Sequence, residues 1–196
     1  MLSDHLALEL GFLEALREAL SHPSAETVLV AVSRLGDFGF IWIALALVLV
    51  VVRASRRAGV SMLAALLFGY LVCNLTLKPL IERLRPCDLV ADVSLIACPP
   101  DFSFPSGHTT SAFAAACALA WFYPKAGAAA LFFAALMALS RMYLFVHFPS
   151  DILAGAAVGA LCAFVAVKLV RFAMPSAAGR DKTAARSREE SRGARE

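Results

Sequence analysis

Apolar residues in this chain come in long runs and do not alternate with polar ones. Five stretches, 38–52, 60–77, 107–123, 126–148 and 152–170, are almost continuous in Leu, Val, Ala, Phe and Ile. Runs at or just under the roughly 20 residues that carry a helix through a bilayer predict membrane-embedded helices. Upstream, residues 2–20 set Glu9, Glu14, Arg17 and Glu18 among leucines, the pattern of an amphipathic helix lying in the membrane interface. Residues 27–35 are apolar but short, and predict a weaker crossing joined to what precedes them. The expected fold is all-α, a polytopic membrane helix bundle of about six helices. Residues 1–36 form the interfacial helix and weak first span, 37–174 the membrane-embedded core, and 175–196 a tail.

Composition strengthens this reading. The 196 residues are 60% hydrophobic and only 17% charged, too apolar for an ordinary soluble domain. Between residues 107 and 167 the charged side chains are Lys125, Arg141 and Asp151 alone. The tail, by contrast, is small, polar and mixed in charge, and reads as disordered and solvated. Its interleaved Asp and Glu argue against nucleic acid as a partner. Asp4 and Glu9 stand where a signal peptide would carry basic residues, so none is expected.

Basic residues set the orientation. Arg53, Arg56 and Arg57 share one short connection, Lys125 lies in another, and Lys168 and Arg171 end the last span. Counting crossings puts all of them on one side, which the positive-inside rule makes cytoplasmic. The loop 79–105 and the turn around His147 then face outward, in the plasma (inner) membrane of a cell. Gly155 and Gly159 form a GxxxG that serves close packing within the bundle or between subunits, which leaves a homodimer open. Cys73, Cys117 and Cys162 read as small core fillers. Cys87 and Cys98 share one polar loop and either stay free or pair in an oxidising compartment.

Against this apolar background the stretch FSFPSGHTTSAF, residues 102–113, is unexpectedly polar. Unpaired polar groups in hydrocarbon cost free energy, so a cluster there implies a partner. The outer ends of the spans supply related residues: Lys78 and Arg85, then Ser106, Gly107 and His108, then Arg141 and His147, then Asp151. Each has a plainer explanation alone, as a snorkelling anchor, a helix cap or a local side-chain pair. Three cations, two histidines and a carboxylate at one face point instead to an anion site. If the helix persists, the seven-residue spacing puts Lys78 and Arg85 on one side. The arginines offer forks that match phosphate oxygens, and the backbone N–H groups after Ser106 lie at a helix N-terminus. His147 beside Asp151 fits a nucleophile with its orienting carboxylate, and His108 fits a general acid. Three cations would repel a metal ion, so no metal and no cofactor is expected.

These residues resemble the type 2 phosphatidic acid phosphatase superfamily, the lipid phosphate phosphatases. Its three-part signature reads here as KPLIERLRP from Lys78, PSGH from Pro105, and SRMYLFVHFPSD from Ser140, complete and in order. The resemblance covers residues 37–172 and implies a metal-independent phosphatase working through a phosphohistidine. By motif position His147 is the nucleophile, Asp151 its orienter and His108 the general acid, while Lys78, Arg85, Ser106, Gly107 and Arg141 bind phosphate. Soluble vanadate-binding haloperoxidases share the signature, but the spans here disfavour that branch. The implied substrates are lipid phosphates at the outer face: undecaprenyl diphosphate first, as in small bacterial members, or phosphatidylglycerol phosphate or phosphatidic acid. Phosphoryl transfer to a second lipid, and a non-catalytic lipid-phosphate binder or transporter, remain the alternatives.

Overall fold

The computed structural model describes residues 2–90 and 93–175, and the predicted tail beyond residue 175 lies outside the described residues. Its elements are α1 Leu2–Ala19, α2 Pro23–Leu35, α3 Phe40–Val51, α4 Arg56–Tyr70, a π-helical segment Leu71–Leu77, α5 Lys78–Ile81, α6 Pro86–Leu89, α7 Gly107–Phe122, α8 Pro124–Tyr143 and α9 Pro149–Ala173. The described residues contain no strand. With α4, the π-helical segment and α5 taken as one continuous rod, the long helices among the described residues number seven, one more than expected. The extra one arises at the N-terminus. His22 caps a fresh helix there, and Pro23 occupies its first position, where a missing N–H costs nothing.

Among the described residues three helical runs are long and apolar enough to cross a membrane: Arg56–Leu89, Pro124–Tyr143 and Pro149–Ala173. The pair Pro23–Leu35 and Asp37–Val51, bent by 50°, makes a fourth if it is one broken span. The chain is therefore a multi-pass membrane protein. The predicted span at 107–123 is helix α7, 16 residues with a rise of about 24 Å, shorter than the runs above. It is the centre of the bundle, packed by α4, α8 and α9.

Small side chains make that centre possible. Ala112, Ala114, Ala115, Ala116 and Ala118 of α7 have no exposed surface. On α9, a Cβ at Gly159 would stand 2.5 Å from the Thr110 carbonyl oxygen, and one at Gly155 would stand 2.8 Å from that of Ser106. Both glycines of the GxxxG thus face α7 in the same chain, which assigns them to packing within the bundle. Replacing Gly159 by leucine should force α9 off α7, at an overpacking cost of about 1–3 kcal/mol. A lower melting midpoint of the detergent-solubilised protein, with reduced turnover, is the expected result.

Lys125, Lys168 and Arg171 mark the end of the bundle where the α3–α4 and α7–α8 connections meet. The Tyr123 hydroxyl donates to the Ala54 carbonyl at 3.2 Å, and Lys168 and Arg171 lie within 6 Å of the Trp121 ring. The other end carries α1, whose fully buried Leu13 packs with Phe145 and Phe148 in the α8–α9 connection.

Candidate active site

Each conspicuous polar residue lies at an element boundary on that second end. Lys78 opens α5, Gly107 and His108 open α7, Arg141 lies in the last turn of α8, and Asp151 in the first turn of α9. His147 sits in the connection between α8 and α9. Lys78, Arg85, Gly107, His108, Arg141 and His147 all line one cavity of about 1050 Å³. Ser106 and Asp151 do not line it. Ser106 is fully buried, and its hydroxyl caps α7 by accepting from Thr109 N at 3.4 Å. Asp151 stands behind His147.

Lys78 and Arg85 converge, but not along a helix face. The helix stops at Ile81, Glu82 turns left-handed with φ 50°, and Arg85 is extended. What joins them is Asp101, whose carboxylate accepts from Lys78 Nζ and, at 2.6 Å, from Arg85 Nη2. Burial alone would raise the Asp101 carboxyl, but the hydrogen bond and charge of Lys78, with the charge of Arg85, hold it at about 2. Arg85 is almost wholly buried. It also donates through Nε to the Asp101 carbonyl at 2.8 Å and through Nη1 to the Val146 carbonyl at 2.6 Å. The loop that supplies Asp101 is tied back by a Cys87–Cys98 disulfide, which answers the question of whether those two cysteines pair.

His147 is 1% exposed, and its two ring nitrogens meet opposite environments. Nε2 lies 3.0 Å from Arg85 Nη1, on the cavity side. Nδ1 faces Asp151 Oδ2 at 3.5 Å and Ser103 Oγ at 3.4 Å. A proton on Nδ1 with the lone pair on Nε2 is the tautomer this surround favours. Burial, reinforced by Arg85, Arg141 and Lys78, pushes the imidazole well below the ordinary histidine range, so it is neutral at pH 7. His108 enters the cavity from another direction, its Nε2 3.0 Å from Asp37 Oδ1. A Cβ at Gly36 would come within 2.9 Å of the His108 ring, so the α2–α3 break fits closely against it. Arg141 is 3% exposed and donates to Ser33 Oγ at 2.5 Å, while its buried Nε has no protein partner. A buried donor left over beside a cavity is suited to an anion's oxygen.

The site thus gathers cations and two histidines in one cavity, in the order of the three motifs. Comparison with known proteins gives the family. The profile of the PAP2 superfamily matches residues 58–175, more than half of the chain. The chain belongs to the PAP2 superfamily. Among its relatives, the undecaprenyl-diphosphatase of Sulfolobus acidocaldarius is 27% identical over 66% of this chain and 64% of that protein's length. The decaprenylphosphoryl-5-phosphoribose phosphatase of Mycolicibacterium smegmatis is 33% identical, over 79% of this chain and 84% of its own. The crystal structure of Aquifex aeolicus LpxE superposes with a TM-score of 0.72 at 27% identity, covering 82% of this chain and 95% of that one. A PAP2 chain with such relatives is a lipid phosphatase, and the non-catalytic binder gives way to the hydrolase.

Asp37, Asp101, Ser103 and Ser33 were not singled out from the sequence. Ser103 lies inside the polar stretch 102–113 and Asp101 directly before it, so a search of that stretch for histidine and cation partners finds both. Asp37 has a weaker signal, a lone acid between two apolar runs. Nothing local marks Ser33.

Proposed function

We propose that this PAP2 phosphatase hydrolyses undecaprenyl diphosphate to the monophosphate at the outer membrane face, through a phosphohistidine and without a metal. The observation that carries the mechanism is His147, with Nε2 turned to the cations and Nδ1 to a buried carboxylate. In the first half-reaction Nε2 attacks the terminal phosphorus, the bond to the bridging oxygen breaks, and His108 gives that oxygen a proton. Arg85, Lys78, Arg141 and the N–H groups at Gly107 hold the phosphoryl oxygens as negative charge shifts among them. In the second, water attacks the phosphorus, its proton passes to His108, and the P–N bond breaks to release inorganic phosphate. Asp37 keeps the His108 ring aimed at the leaving oxygen.

Two features support a lipid of this class. The same cavity is walled by Leu63, Leu66, Leu67 and Tyr70 of α4 and Ile43 of α3, apolar surface continuous with the cationic end. The basic residues at the opposite end of the bundle support an outward-facing site by the positive-inside rule. Kinship leaves the lipid open, since the undecaprenyl-diphosphatase and the decaprenylphosphoryl-5-phosphoribose phosphatase are named for different lipid phosphates.

Purified protein in mixed micelles, given undecaprenyl diphosphate, phosphatidylglycerol phosphate and phosphatidic acid side by side in EDTA, tests the assignment. The diphosphate should be turned over fastest, with vanadate inhibiting. Preference for either glycerolipid would overturn the substrate, dependence on added metal would overturn the chemistry, and a phosphorylated lipid acceptor among the products would identify a transferase.

The pH profile follows from His147. Protonation removes the nucleophilic lone pair, and the folded imidazole takes up its proton only well below the ordinary value of about 6.5. Activity that needs the neutral ring therefore persists as pH falls through that value. The acid limb of kcat/KM is expected below the ordinary histidine value, and a limb at that value would contradict the buried geometry.

A further inference from the structure

Arg83 is at an unspecified position within the first motif and Glu9 lies outside all three, and neither lines the cavity. Arg83 lies two residues before Arg85, yet its guanidinium points the other way, to the back of Asp151. Its Nη1 donates to Asp151 Oδ1 at 2.7 Å and to Ser150 Oγ at 2.6 Å. Its Nη2 donates to Glu9 Oε2 from α1, and its head lies 4.1 Å over the Phe148 ring. The second Glu9 oxygen accepts from Ser150 N at 3.0 Å. Asp151 has no exposed surface, and its Oδ2 is taken by Ser103 Oγ at 2.5 Å and Phe148 N at 2.8 Å.

A tether for α1 would need only the Glu9–Arg83 contact. The Arg83–Asp151 contact does something else, because a carboxylate buried without a cation is costly and draws a proton or a second charge towards itself. Its nearest alternative is His147. We propose that Arg83 is a positioning residue for the His147 reaction, holding the Asp151 carboxylate in place and offsetting its charge, and that Glu9 of α1 holds Arg83 in turn. The chain of contacts Glu9–Arg83–Asp151–His147 makes the N-terminal helix part of the support of the catalytic centre. This rests on the reading of His147 as nucleophile.

The signs are opposite for the two outer members. His147 is faced by Asp151 from α9, Ser103 and Arg85 from the loop segments, Arg141 from α8, Lys78 from α5 and His108 from α7, with Asp101 acting through Lys78 and Arg85. Taking away the Arg83 charge leaves Asp151 acting in full on the imidazole, which then binds its proton at higher pH. Taking away the Glu9 charge leaves Arg83 leaning harder on Asp151, and the imidazole binds its proton at lower pH.

The test is kcat, KM and the acid limb of kcat/KM for wild type, Arg83→Gln, Arg83→Lys and Glu9→Gln, with undecaprenyl diphosphate in mixed micelles and a melting curve for each. Arg83→Gln should lose about 10- to 100-fold in kcat with KM little changed, and its acid limb should rise by about one pH unit. Arg83→Lys should recover part of kcat and keep the limb near the wild-type position. Glu9→Gln should move the limb the other way. An unshifted limb in a folded Arg83→Gln overturns the proposal, and so does an upward or absent shift in Glu9→Gln. That second variant decides the matter if Arg83→Gln does not fold. Wild type that releases no phosphate, or a fully active His147→Ala, would instead overturn the phosphohistidine reading.

Discussion

His147→Ala is expected to remove essentially all phosphate release, a fall in kcat of about 10⁴-fold or more. Phosphate esters and anhydrides hydrolyse so slowly unaided that an enzyme must supply most of the rate, and this side chain supplies the bond that splits one hard step into two. Alanine also deprives Arg85 Nη1 of a neighbour 3.0 Å away, but Arg85 keeps the Val146 and Asp101 carbonyls and the Asp101 carboxylate. The cavity should therefore persist and still bind lipid phosphate. Measuring turnover beside binding of a phosphate analogue separates the two effects. Wild-type protein quenched during turnover with substrate labelled in the terminal phosphate should carry label on His147, and the variant should carry none. Full activity in the variant would sink the nucleophile assignment.

Arg85→Lys should cost about 10²- to 10³-fold in kcat/KM although the charge is kept. The guanidinium closes several contacts at once: two to Asp101, one to the Val146 carbonyl and one towards His147 Nε2. These clamp the turn that carries the nucleophile onto the loop that carries Asp101. One ammonium cannot reach both. The planar fork that would hold two phosphoryl oxygens is lost with it. Because a buried fork is being replaced, some fall in melting midpoint should accompany the kinetic loss. A lysine variant within a few-fold of wild type would show that charge alone suffices and that the clamp is dispensable.

Much of the site was legible because its signals are local. The Pro-Ser-Gly-His stretch, the His147 and Asp151 spacing, and Lys78 with Arg85 are short-range patterns, and the chemistry of each residue type follows from its side chain. The same holds for the apolar runs, since a bilayer imposes length and hydropathy on any segment that crosses it. Where local reasoning was extended through an assumed helix it failed. Lys78 and Arg85 were expected on one side if the helix persisted, but it ends at Ile81 and Asp101 brings them together from the next loop. Residues 107–123 form the expected helix, but nothing local showed that its alanine-rich body is the centre of the bundle, reached closely by the α9 glycines.

The primary structure alone thus established a multi-pass helical membrane protein and the lipid-phosphatase signature, because span length, charge bias and motif spacing are properties of contiguous residues. Only folding decided which carboxylate answers which cation. Glu9 meets Arg83, Asp37 meets His108 and Ser33 meets Arg141 across separations of 74, 71 and 108 residues. No periodicity encodes such pairs. They form because packed helices bring distant polar groups together where solvent is excluded, and there a buried charge or donor must find a partner or pay heavily for lacking one.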